Sequence, residues 1–273
     1  MIFAVQRYTL YFILANFFSF FFQKRRFFFN FALMITKTRA IVLHSFKYGE
    51  SKIIVDLLTE WCGRMSCIAT LSKSNKGKLK KQYFQPLTLL EVVTVTKPHV
   101  QLAQLKEARV NIPFVSIPFH PYKLSIALFT AEFLRLATKN EQTDPLIFNY
   151  AINSIEWLDS CTGSVANFHL VFMMRLSRFL GFYPNMENHR QGDWFDLRAG
   201  CFCGQPPLHS DVVPPTEADN IQLLLRMNFS TMHLFRMDRK ERNRMAETIL
   251  HYYRLHLPDF SEMKSFAVLK ELF

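Results

Sequence analysis

From residue 39 the apolar positions alternate instead of recurring every third or fourth residue. Ile41, Leu43 and Ser45 fall on one side of the run, and Ala40, Val42 and His44 on the other. Period two predicts a strand buried on at least one face. Tyr48-Gly49-Glu50 interrupts it as a turn, because Gly49 takes positive φ without steric cost. Ile53–Thr59 then reads as a returning strand, and Arg64–Leu71, after the Trp61-Cys62-Gly63 turn, as a third. Leu87–Thr96 and Val100–Val110 complete five. Between the third and fourth lies 72–82, with five lysines and no acid. Five short strands with one long basic connection predict a small oligonucleotide-binding (OB) barrel over 34–112.

The period changes beyond Pro113. Pro113, Pro118 and Pro121 mark a linker, since proline cannot donate to a strand ladder. Leu124, Leu128, Ala131 and Leu134 then follow a helical spacing through 122–138. Asp144-Pro145 predicts an N-cap followed by proline at the first helical position, opening 146–160. A third helix over 167–180 stops at Gly181, with Pro184 beyond. Further helices are expected over 217–225, 230–235 and 240–257. The chain is thus α+β, a five-stranded barrel followed by a mostly helical domain over 113–273.

Residues 1–33 differ in composition from everything after them. They hold 11 of the 29 phenylalanines. The apolar stretch 8–22 is interrupted by Thr9, Asn16 and Ser19 and falls short of the roughly 20 residues of a bilayer span. No small-residue cleavage site marks a secretory signal. Met34 opens a self-sufficient strand, so 1–33 is expected to be a non-native or disordered extension. The alternative is a membrane anchor with Lys24, Arg25 and Arg26 on the cytosolic side.

The formal net charge is +11, of which four positive charges fall in 1–33. A basic excess suits a polyanion. Five cysteines, Cys62, Cys67, Cys161, Cys201 and Cys203, sit at irregular spacing and predict a reducing, cytoplasmic setting rather than a disulfide scaffold. Cys201, Cys203 and His209 have metal-ligating chemistry, but a structural zinc needs four ligands, usually as two close pairs. Only His189 lies nearby upstream. Asp193 and Asp196 suggest a magnesium-dependent nuclease as a minor alternative, against their use as turn and capping residues. No phosphate-cradling glycine loop, nucleophile elbow or His-Glu-x-x-His motif occurs. An enzyme is not expected, nor is a metal or other cofactor.

Several motifs in order carry a family resemblance: Arg39-Ala-Ile-Val-Leu43, Tyr48-Gly-Glu-Ser51, Leu57-Leu-Thr-Glu60 with Gly63, and Gln85-Pro86-Leu87. Leu180-Gly-Phe-Tyr-Pro184, His256-Leu-Pro-Asp-Phe260 and Lys264-Ser-Phe-Ala-Val-Leu269 follow. Over 34–273 the chain resembles RecO, a family of bacterial recombination mediators. The resemblance implies an N-terminal OB barrel and a helical C-terminal domain. It also implies binding to single- and double-stranded DNA, annealing of complementary strands, and loading of RecA, together with RecR, onto strands coated by single-strand binding protein. Many members hold zinc on four cysteines. In this chain Asn185–Arg190 stands where the first pair would fall, so about 185–212 reads as a degenerate zinc region.

Lysines on a loop and barrel face neutralise phosphates, each displaced counterion adding salt-sensitive affinity. The candidate DNA-binding residues are Lys37, Arg39, Lys73, Lys76, Lys78, Lys80 and Lys81, with Arg175 and Arg178 extending the track along a helix. Phe46, Tyr48 and Tyr83 are candidate base-stacking aromatics or core residues. A nucleoid-associated cytoplasmic protein without stable membrane association is expected.

Overall fold

The first strand, β1 (Met34–Tyr48), is 15 residues long and is buried on both faces over 40–43. The computed structural model describes residues 34–71, 79–97, 100, 102–139, 144–187 and 189–272. With β2 (Lys52–Thr59), β3 (Gly63–Thr70), β4 (Leu89–Thr96) and β5 (Ala103–Ile112), β1 closes a barrel in the order β1-β2-β3-β5-β4. Every pairing is antiparallel except β3 with β5, which is parallel. This is the five-stranded OB-type arrangement expected from the sequence.

Ala40, Val42, Val55, Leu57, Cys67 and Val92 fill the barrel, and Phe84, from a short 3-10 helix over Lys81–Phe84, plugs one end. Ile41 and Leu43 belong to a second core, shared with Leu58, Leu87 and Leu89 and with the helical half. The strand register shifts between Val42 and His44. This bulge at Leu43 reverses the inside–outside phase of the strand beyond it. Ser45 therefore does not continue the side of Ile41 and Leu43, as simple alternation predicted. It pairs with inward-facing Val55, while Phe46 and Tyr48 pair with Ile54 and Lys52.

Gln85-Pro86-Leu87-Thr88 forms a turn closed by Thr88 N donating to Gln85 O at 3.1 Å. Leu87, expected to begin the fourth strand, sits instead at φ 63°. Proline followed by positive φ is a type II turn, which ordinarily takes glycine at that position.

Six helices follow: α1 (Pro121–Ala137), α2 (Pro145–Ser160), α3 (Phe168–Phe179), α4 (Pro215–Arg226), α5 (Arg239–His256) and α6 (Lys264–Leu272). Asp144 caps α2 as expected, accepting from Leu146 N at 2.7 Å. The helix expected over 230–235 is only a 3-10 turn, Met232–Leu234. The last helix, α6, was not anticipated. Its first amides, on Lys264 and Ser265, donate to the Glu132 carboxylate at 3.2 and 2.7 Å, so its cap comes from α1. Between α3 and α4 a small sheet orders as β7-β6-β8, with β6 at Trp194–Asp196, β7 at Cys201–Cys203 and β8 at Val212–Val213. No helix among the described residues is long and apolar enough to cross a membrane. Residues 1–33 lie outside the described residues.

The linker between barrel and helices is locked by a partly buried polar knot. The Asp159 carboxylate accepts from the backbone amides of Val115, Ser116 and Ile117 at 2.7–2.8 Å. Lys123, only 4% exposed, donates to Ser116 Oγ at 2.7 Å and to the carbonyls of Asp159 and Cys161 at 3.0 and 2.6 Å. Burial alone would raise the Asp159 carboxyl, but its amide donors and the Ser116 hydroxyl outweigh it and hold the group below its ordinary range. The stabilisation is therefore complete above the ordinary pKa and fades as pH falls through the lowered folded one. Asp159→Ala should cost about 2–3 kcal/mol, because it strands several donors at once. A denaturant melt at neutral pH checks this, and the gap between variant and wild type should narrow as the melt is repeated below about pH 4.

Candidate nucleic-acid interface

The β1–β2 hairpin and the connection from β3 to β4 meet at one end of the barrel. The connection leaves from Leu71, whose amide donates to Ser51 O at 2.7 Å. It returns at buried Leu79 and the 3-10 helix, where the Ser45 hydroxyl donates to Phe84 O at 2.8 Å. Lys73, Lys76 and Lys78 lie outside the described residues. Both anchors of their loop nevertheless sit beside the hairpin. A depression between the two is lined by Phe46, Lys47, Glu50, Lys52 and Lys81. Lys81 is exposed and Lys80 half-exposed.

None of Lys47, Lys52, Lys80 and Lys81 joins an ion pair with a described residue. Glu50 is the one acid lining this depression. Lys47 and Lys52 were not among the residues that the sequence singled out. Their pairing across the Gly49 turn, with Lys47 opposite Ile53 and Lys52 opposite Tyr48, was the available signal. Phe46 and Tyr48 are exposed, whereas Tyr83 packs against the barrel core.

The other candidates lie elsewhere. Lys37 lies ten residues before Lys47 on β1 and lines a separate depression with Tyr83, Glu91 and Arg109. Its ammonium is 3.7 Å from Glu91, which Arg109 also engages through Nε at 2.9 Å. Arg39 is a clamp. Its Nε and Nη2 bond the two Glu60 oxygens at 2.9 and 2.7 Å, and its guanidinium lies 5.6 Å from the centroid of the Phe148 ring on α2. The hydrogen bonding that Arg39 donates to Glu60 raises the Arg39 pKa and lowers that of Glu60. Arg175 points both Nε and Nη2 at Met227 O, at 3.2 and 2.9 Å, and so caps α4. Arg178 is exposed and lies 4.5 Å over the Tyr183 ring. The structure thus gathers Lys80 and Lys81 with the hairpin lysines and leaves Lys37, Arg39, Arg175 and Arg178 outside that cluster.

No group of three His, Cys, Asp or Glu able to hold an ion occurs among the described residues. Cys203 Sγ faces Trp194 O at 3.7 Å, and burial pushes its thiol pKa up. Asp193 accepts from Arg190 N at 2.7 Å, and Asp196 from Arg198 N and Ala199 N at 2.8 and 3.0 Å. Each carboxylate thus accepts backbone amides of its own turn through one oxygen, and the second Asp196 oxygen lies 3.4 Å from His209 Nε2.

Residues 34–114 match the family model described as Recombination protein O N terminal, and 119–265 match Recombination protein O C terminal. The chain is 49% identical over 241 residues to the DNA repair protein RecO of Bacteroides fragilis, covering 88% of this chain and all of that protein. The RecO of Phocaeicola vulgatus is 48% identical over 240 residues, with the same coverage. That of Porphyromonas gingivalis is 35% identical over 244, again over 88% of this chain and all of the relative.

The clamp and the exposed lysine on β1 should behave oppositely on substitution. Arg39→Ala removes two charge-assisted bonds beside a half-buried carboxylate and should cost about 1–3 kcal/mol in a urea melt. Lys37→Ala, at a side chain 67% exposed, should stay within about 0.5 kcal/mol of wild type.

Proposed function

This chain belongs to the RecO family of DNA repair proteins, and on that premise we propose that it is a non-catalytic mediator that binds DNA at the hairpin end of its barrel. It holds single and double strands through their phosphates and anneals complementary strands. With RecR it helps place RecA on strands coated by single-strand binding protein, as a nucleoid-associated cytoplasmic protein. The observation that carries the DNA-binding reading is the cluster of lysines without ion-pair partners among the described residues, beside which both ends of the lysine loop are anchored. Charge left unneutralised by the fold is available to a polyanion, and each phosphate it contacts releases counterions. Screening the repulsion between two strands held near one another then favours pairing.

Lys73, Lys76, Lys78, Lys80 and Lys81 are the proposed phosphate contacts of the loop. Lys37 and Arg178, exposed but each engaged locally, are secondary ones, and Arg39 and Arg175 are assigned to holding the fold. We further place the family unit at 34–273, with an OB DNA-binding domain over 34–112, a helical domain over 113–273, and residues 1–33 outside both.

Changing the five loop lysines together to alanine should weaken binding to all sequences alike, since phosphate contacts carry no base information. The slope of log affinity against log salt should flatten by roughly 0.7 per lost contact on single strands. Annealing of complementary oligonucleotides should slow in parallel while the thermal melt stays nearly unchanged. An unaltered slope with normal annealing would show that the loop is merely solvated.

Protein beginning at Met34 should melt cooperatively and bind DNA as the full chain does. Loss of the cooperative transition in the shortened protein alone would place 1–33 within the folded unit.

A further inference from the structure

We propose that the outward face of the β1 hairpin arm, carried by His44, Phe46 and Tyr48, is a stacking subsite for unpaired bases of single-stranded DNA. The inference rests on the proposed DNA binding and adds a contact to the bases to one made with phosphates.

The bulge at Leu43 creates this face. Without it, alternation would have left Phe46 and Tyr48 on the inward side. After the phase reversal the three rings stand at every second position of one strand, opposite Asp56, Ile54 and Lys52. Phe46 is 46% and Tyr48 55% exposed, and neither joins the barrel core or the helical core. Single exposed apolar side chains are ordinary. An aligned row of rings beyond the reach of either core is not explained by packing, because burying even one would stabilise the fold by about 1.5–3 kcal/mol.

The geometry selects how a base is received. The His44 and Phe46 ring centroids are 5.7 Å apart at an interplanar angle of 36°. A base inserted between two rings needs about 6.8 Å, twice the rise of about 3.4 Å per base in a DNA strand. Bases therefore lie on the rings rather than between them. Such stacking accepts any base, since every base has a π-face. It also leaves the pairing edges free to meet a complementary strand, which an annealing protein requires. The charge around the row matches a polyanion. Lys52 flanks Tyr48 across the hairpin and has no ion-pair partner among the described residues, while Asp56, opposite His44, is engaged by the Ser66 hydroxyl at 2.6 Å and by Arg64 at 3.8 Å.

The test uses the full-length protein and two fluorescent oligonucleotides of equal length and charge, oligo-dT and an abasic strand, titrated at the same salt. Wild type should bind oligo-dT more tightly than the abasic strand. The double variant Phe46→Ala with Tyr48→Ala should lose about tenfold or more on oligo-dT and little on the abasic strand, so that the two affinities converge. Phe46→Leu with Tyr48→Leu, which keeps apolar strand formers, should do the same with an unchanged melt, so that misfolding of the alanine variant does not obscure the result. Tyr48→Trp should show indole quenching with oligo-dT and not with the abasic strand. Equal wild-type affinities overturn the stacking subsite and leave phosphate binding intact. A dT preference retained by the leucine variant also overturns it, pointing to a protein partner as the reason for the exposed rings. If wild type binds neither strand, the DNA-binding reading itself fails.

Discussion

The double burial of β1 is the constraint on which the rest of the molecule depends. A barrel strand normally sends one face inward and the other to solvent or to a neighbour. Over 40–43 both faces of β1 are occupied, Ala40 and Val42 by the barrel core and Ile41 and Leu43 by the core shared with the helices. The barrel and the helical half therefore cannot separate without exposing Ile41, Leu43, Leu58, Leu87 and Leu89. The polar links between them act around this apolar seam. Arg39 reaches from β1 to Glu60 and over Phe148, and the Lys123–Asp159 knot fixes the connecting chain. These charged groups sit where hydrogen bonds satisfy them, which is what makes partial burial tolerable.

The seam also accounts for a strained residue. Leu87 adopts φ 63°, a conformation costing about 1–3 kcal/mol for a residue with a Cβ. Its side chain is fully buried in the shared core, a gain of about 1.5–3 kcal/mol. The two terms are comparable, so leucine persists where turn chemistry alone would select glycine. The same turn ties back to β1, with Leu87 N donating to Val42 O at 2.7 Å and Val42 N to Thr88 O at 3.1 Å. Those bonds adjoin the bulge at Leu43, and the bulge sets which side chains the hairpin arm presents to solvent. A packing requirement at the domain seam is thereby linked to the composition of the surface beyond it.

Legibility in the sequence divides along the range of the interactions. Five strands and the helical second half were legible because alternation, glycine turns and the Asp144-Pro145 start are local signals. The bulge was not, since Leu43 carries no mark of it, and Ser45 was assigned to the wrong side. The start of the fourth strand was misread at Leu87 because Pro86 announced a turn without the usual glycine after it. The last helix escaped because its cap is Glu132, more than 130 residues away in sequence. Among the candidate site residues, lysine clustering in the loop was visible, but the partners of single arginines were not. Arg39 and Arg175 look like any other basic residue until Glu60, Phe148 and the Met227 carbonyl are brought to them. Phe46 and Tyr48 remained ambiguous between core and surface because their exposure depends on that same bulge.

Charge neutralisation inside the fold decides which part of a basic protein meets a polyanion. At the far end of β1, Lys37 and Arg109 share Glu91, and the contact with Arg109 holds that carboxyl below its usual range, so it remains ionised over a wide span of pH. At the hairpin end the lysines face a single acid, Glu50. Net charge describes the whole surface, whereas the field felt by an approaching strand depends on this local balance, because screening cuts off exposed charges beyond about 8–10 Å. The two ends of β1 thus differ in local balance, one with Lys37 and Arg109 on Glu91 and the other with its lysines beside Glu50. Among the described residues the fold leaves cations unpaired at the hairpin end, and the exposed aromatic row stands at that same end.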